Sequence, residues 1–135
     1  MDQPQANLPE DFDILEGYSR FRPAGEVSLQ EAVGRISNAI VFCRENRIGR
    51  LLVDATQLGG FPSPSVANRY WIAKELALDS AGLVTVSFAF QPYLLDPERF
   101  GVTVAANFGM NTSAFGSATE ALKWLLTQPD QSPKS

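Results

Sequence analysis

The sequence predicts an α/β domain: a mixed, mostly parallel sheet of about five strands flanked by about four helices. Three observations carry this. Short runs rich in Leu, Val and Phe, at 51–53 and 83–90, have the length and composition of strands. Longer segments between them repeat apolar residues every three or four positions, the helical period. The two kinds of segment alternate along the chain, the pattern of parallel strands joined by helical crossovers.

The elements follow in order. Residues 12–15 and 18–22 read as two short strands joined around Glu16-Gly17, and they supply an antiparallel edge. Pro23-Ala-Gly25 ends the second. Ser28-Leu-Gln-Glu31 is a capping box that opens a helix to about Asn46, with Leu29, Val33, Ile36, Ile40 and Cys43 as its apolar stripe. Gly49 precedes the 51–53 run, read as a central parallel strand with Asp54 at its carboxyl end. Its continuous apolar character predicts burial on both faces.

A helix starts near Ser63 or Ser65, with Pro64 suited to a first turn. Its expected stripe is Val66, Tyr70, Ala73 and Ala77, which leaves Trp71 and Leu78 off the buried face. The 83–90 strand is expected to alternate between faces. Asp96-Pro-Glu98 opens a third helix with Asp96 as cap, Phe100, Val104 and Phe108 on one face, and Gly109 as its stop. A short strand at 113–115 follows. Ser117-Ala-Thr-Glu120 is a second capping box, opening a last helix through Leu126, with Trp124 on its inner side.

At 135 residues the chain has the size of one domain. Residues 10–127 are the expected folded unit. Residues 1–9 and 128–135 are polar, contain Pro and lack apolar periodicity, so they are expected to be disordered tails. The formal net charge is −4 and none of the eleven Lys and Arg residues form a run. That argues against nucleic-acid binding, which needs a basic footprint. No stretch approaches a membrane span, and the N-terminus lacks the basic and apolar parts of a signal peptide. The lone Cys43 cannot close an internal disulfide, and a cytoplasmic location is expected.

The chain contains no histidine. Ser-His-Asp and Cys-His hydrolases as usually built are therefore excluded, as are histidine metal sites. Neither a Gly-x-x-x-x-Gly-Lys-Ser/Thr loop nor a Gly-x-Gly-x-x-Gly fingerprint occurs. No catalytic residue, metal site or cofactor is expected.

The candidate site is the loop after the 51–53 strand, because open α/β sheets place their working residues beyond the carboxyl ends of their strands. Asp54 reads as a loop anchor, capping the turn through its own backbone. Ser63 and Ser65 stand at a helix N-terminus. Both suit plain N-capping, and both would house a phosphate well, which makes them the candidate regulatory phosphosites. Phe61, in the loop, with Tyr70 and Trp71 on the helix, forms the candidate interaction or ligand surface. Arg20, Arg22 and Arg69 are the charges nearest to this loop in the expected topology. Cys43, on an apolar stripe, reads as core.

In order and spacing, five pieces resemble the SpoIIAA-like group, which takes in STAS domains and CRAL-TRIO-type carriers. They are Phe21-Arg-Pro-Ala-Gly-Glu-Val-Ser28; Leu51 to Ala55 with Leu58 and Gly59; Asp96-Pro-Glu98; Ala105, Ala106, Asn107 and Gly109; and Phe115 with Glu120-Ala-Leu-Lys-Trp124. The resemblance covers about residues 12–126. It implies a mixed sheet flanked by helices and a regulatory or binding role. It also implies a loop serine as phosphorylation site, within an Asp-Ser-Ser-Gly type motif. Here that loop reads Gly60-Phe-Pro-Ser-Pro-Ser65, without the acidic partner or the Ser-Ser pair.

The expected function is a non-catalytic regulatory or protein-interaction domain of this STAS type, binding a protein partner or itself as a homodimer. One alternative is a carrier or sensor of a small apolar ligand, which a drug-sized apolar cavity would favour. The other is a carboxylate-based enzyme using Asp54 and Asp96, which converging carboxylates in a cleft would favour.

Overall fold

The computed structural model describes residues 8–130. Most of the two expected tails, 1–7 and 131–135, lies outside the described residues. Leu8 packs against the core, and the Gln128 carbonyl accepts a hydrogen bond from Arg50 at 2.6 Å.

The elements are β1 (Phe12–Leu15), β2 (Tyr18–Phe21), β3 (Ala24–Glu26), α1 (Leu29–Glu45), β4 (Arg50–Ala55), β5 (Gln57–Gly59) and α2 (Val66–Ser80). After these come β6 (Thr85–Phe90), a 3-10 turn (Pro92–Leu94), α3 (Phe100–Asn107), β7 (Thr112–Phe115) and α4 (Ala118–Thr127). Five strands form one mixed sheet in the order β1-β2-β4-β6-β7. β1 and β2 are antiparallel, and the other three pairings are parallel. β4 is thus the central strand, with Leu51, Leu52 and Val53 buried on both faces.

Local chemistry sets the helix starts. Ser28, Ser65 and Ser117 each accept a hydrogen bond from the backbone N–H three residues on, at 3.0, 3.1 and 3.2 Å. The helices fall into unequal layers. α1, α2 and α3 cover one face with the larger core, which includes Phe21, Ile40, Val53, Phe88 and Val104. Among the described residues α4 is the helix that covers the other, where Leu52, Ala89, Ala121 and Leu125 meet, with Trp124 half-buried against Phe115. Among the described residues no helix is long and apolar enough to cross a membrane.

Several local expectations need correcting. β6 does not alternate between a buried and an exposed face, because Thr85 to Ala89 are all buried. Its small polar residues face α4, and Ser87 satisfies its hydroxyl there by donating to the Ala121 carbonyl at 2.8 Å. α3 begins at Phe100, four residues after Asp96. Asp96 still serves it, accepting from the Phe100 N–H at 2.8 Å across a turn that puts Arg99 at φ +55°. Val66 is 67% exposed rather than buried, because Ser65 as cap places it in the first turn, facing outward. β3 and β5, a two-stranded parallel sheet, extend the expected pattern.

Cys43 is buried beside the Ser19 hydroxyl at 3.5 Å. Burial pushes its thiol up to about 12, slightly offset by Ser19. A folded-state value above the unfolded one stabilises the fold below the unfolded pKa, and that contribution is lost as pH climbs toward the folded value. We therefore expect wild-type stability to fall between roughly pH 9 and pH 12 more steeply than that of Cys43→Ala, measured by denaturant midpoint. Parallel alkaline limbs for the two proteins would show that the thiol is not held neutral by the fold.

Candidate functional site

β4 and β6 are parallel neighbours with their carboxyl ends together, Ala55 opposite Phe90. The chain beyond both ends is held in place by hydrogen bonds. Asp54 Oδ1 accepts from the Thr56 N–H at 3.2 Å and from the Thr56 hydroxyl at 2.6 Å, an Asx turn that starts β5. The Gln91 side-chain amide donates to the Leu58 carbonyl and the Tyr93 hydroxyl to the Phe61 carbonyl, each at 3.0 Å. Arg69 on α2 donates to Ser63 Oγ at 2.7 Å, to the Pro64 carbonyl at 3.1 Å and to the Leu94 carbonyl at 3.4 Å. It fastens the two loops to each other.

These elements border an apolar cavity, open at one side, of about 360 Å³. Its walls come from α1, the ends of β4 and β6, β5, α2, α3 and β7. Ile36, Leu58, Phe61, Leu76, Phe88 and Val102 are among the lining side chains. The volume lies in the range of small-molecule sites, which are mostly apolar with a few placed polar groups. Among the described residues three ionisable side chains border it: Arg69, Asp96 and Arg99. The backbone N–H groups of Phe100 and Glu98 hold the Asp96 carboxyl below its usual range, and the Arg69 charge adds to this. Arg99 donates to Ser113 Oγ and to the Ala114 carbonyl.

The structure spreads the expected site residues over different roles. Phe61 lines the cavity. Tyr70 is half-buried, edge-on to Phe108 and to Trp71. Trp71 faces away and is 61% exposed, with the Lys74 ammonium 5.4 Å from its ring centre. Ser65 is the α2 cap, and Ser63 is the partner of Arg69. Arg20 and Arg22 lie away from the cavity and pair with Asp13 at 3.0 and 3.5 Å. Sequence reading missed Arg99 as a site residue. Its signal is the Asp96-Pro-Glu98 turn beside it, which the sequence marks as a helix start, a piece of the family resemblance and a candidate carboxylate, without pointing to the arginine that follows.

A wider polar cleft of about 570 Å³ is bordered by Asp11, Asp13, Asp54 and Thr56. The Asp13 and Asp54 carboxylates are already engaged there, by two arginines and by Thr56. The smaller cavity is the better candidate because it is apolar and lies between the sheet and three helices. Among the described residues no three His, Cys, Asp or Glu side chains come together as a metal site. No family model, no curated protein and no solved structure gives a significant match to this chain.

Proposed function

We propose that this chain is a non-catalytic binding domain that takes a small apolar ligand into the cavity, as a carrier or a sensor. The cavity carries this reading. An apolar space of about 360 Å³ at the carboxyl ends of β4 and β6 is where α/β sheets hold ligands, and the desolvation of an apolar ligand would drive its entry. The SpoIIAA-like resemblance agrees with a binding role. Calorimetric titration with decanol, a neutral alkyl probe, is expected to show one site per chain. Native mass spectrometry of the purified protein is expected to show the same stoichiometry. Absence of saturable uptake in both measurements would sink the proposal.

A second observation favours an interaction surface on the opposite side of the same helix. Trp71 and Leu78 are seven residues apart on α2 and are 61% and 58% exposed. In this reading the chain binds a second copy of itself or another protein through that face, and ligand binding behind α2 is sensed in front of it. Ser63 would be the regulated position. A phosphate there would stand beside Arg69, whose guanidinium already reaches the hydroxyl. Sedimentation at micromolar concentration is expected to give a dimer that Trp71→Ala returns to monomer. A wild-type monomer would remove the self-association half of this reading.

A further inference from the structure

We propose that the ligand of the cavity is an amphipathic anion. Specifically, it is a medium-chain alkyl carboxylate whose chain lies in the apolar space and whose head meets Arg69 and Arg99 at the rim. This rests on the reading of the cavity as a ligand site and adds the chemistry of its two ends.

The walls set the character of the tail. They are lined by aliphatic and aromatic side chains, and the hydroxyl of Thr112, a lining residue, is already committed to the Val86 carbonyl. A ligand with polar groups along its length would bury them without partners. The volume of about 360 Å³ is at the small end for ligand sites, which suits one alkyl chain of moderate length rather than a two-chain lipid.

The rim sets the character of the head. The protein as a whole is acidic, with a net charge of −4, yet two of the three ionisable groups on the rim are guanidiniums. Elsewhere Arg20, Arg22, Arg35 and Arg44 each reach a carboxylate, and Arg50, away from the cavity, donates to the Gly17 and Gln128 carbonyls. Among the described residues Arg69 and Arg99 hydrogen-bond only to neutral acceptors: two serine hydroxyls and three backbone carbonyls. The one rim carboxylate, Asp96, has both oxygens taken by backbone N–H groups of Glu98 and Phe100. Arg69 spends three of its five N–H donors on these contacts and Arg99 two. An incoming carboxylate therefore finds free donors and no salt bridge within 4 Å to displace, although the Asp96 charge already felt by Arg69 stays beside it. Hydrogen bonds from a guanidinium to a carboxylate are about twice as strong as the neutral contacts the two arginines now make.

The test compares decanoate, decanol and decylammonium by calorimetry on the wild-type protein at near-neutral pH and low salt. The three share one chain and differ only in the head. Decanoate is expected to bind one-to-one at least about tenfold more tightly than decanol, with decylammonium the weakest. The double variant Arg69→Gln, Arg99→Gln is expected to abolish the preference, so that decanoate binds no more tightly than decanol to that same variant, whatever the loss of loop contacts does to both. Decanol binding as tightly as decanoate in the wild type would overturn the anionic head and leave the cavity as a ligand site. Failure of all three probes would remove the cavity reading, and this inference with it. The wild-type comparison decides between these outcomes even if the double variant does not fold.

Discussion

Gly60→Ala is expected to lower stability by about 2–4 kcal/mol, the combined scale of backbone strain and overpacking. Gly60 sits at φ +97°, where a side chain is strained whatever the space around it. Space is lacking as well. A Cβ there would lie 2.7 Å from the Val27 nitrogen, 2.9 Å from Glu26 Cα and 2.9 Å from the Val27 carbonyl oxygen. All three are backbone atoms next to or within β3, so none can swing aside as a side chain would. Relief requires β3 to move off β5, which would break the 2.9 Å hydrogen bond from the Val27 N–H to the Gly59 carbonyl. Gly34→Ala is the control. Gly34 lies mid-helix in α1 with nothing within 4 Å of a built Cβ, and alanine there is expected to stabilise by about 0.5–1 kcal/mol. Denaturant midpoints read both. A Gly60→Ala midpoint indistinguishable from wild type would mean that the close approach of β3 to this loop does not exist in solution.

That close approach also marks the limit of what the sequence made legible. Ser28, Ser65 and Ser117 announce their helices because capping is a contact over three residues. The central place of β4 was legible because a short unbroken Leu-Leu-Val run lying between two capped helices fits a strand covered on both faces. β3 was not, because Ala-Gly-Glu has no apolar signal and its pairing with Gln57–Gly59 spans more than thirty residues. The alternation expected of β6 failed for a related reason. α4 covers the second face of the sheet, so Ser87 and Ala89 are there because they are small, not because they meet water.

The site was half legible in the same way. Its location past Asp54 follows from chain order. Its character does not, since the cavity is a space left between segments as distant as Leu29 and Ala114. Phe61, Tyr70 and Trp71 lie close in the sequence, and helix geometry then separates them. Phe61 turns into the cavity, Tyr70 packs at its flank, and Trp71, a single step of about 100° further round α2, faces outward.

Ala73→Leu is expected to weaken decanol and decanoate binding by about a hundredfold, roughly 3 kcal/mol, while leaving stability within about 1 kcal/mol of wild type. In a close-packed core, added methylenes force neighbours off their rotamers and cost about 1–3 kcal/mol. Ala73 is buried on α2 and borders the cavity, so a leucine there has room to grow into. The newly buried carbons then contribute favourably, at about 0.8 kcal/mol for each CH₂, and offset what strain remains. Ala39 on α1 is the matched control. It is fully buried within the same core and does not border the cavity. Ala39→Leu should therefore show the ordinary cost of overpacking with little effect on binding. The pair separates two properties that a single substitution confounds, since one leucine occupies the ligand's space and the other only crowds the core. Equal destabilisation by both would mean that the space beside Ala73 closes in solution. Unchanged binding in a well-folded Ala73→Leu protein would place the ligand elsewhere on the molecule.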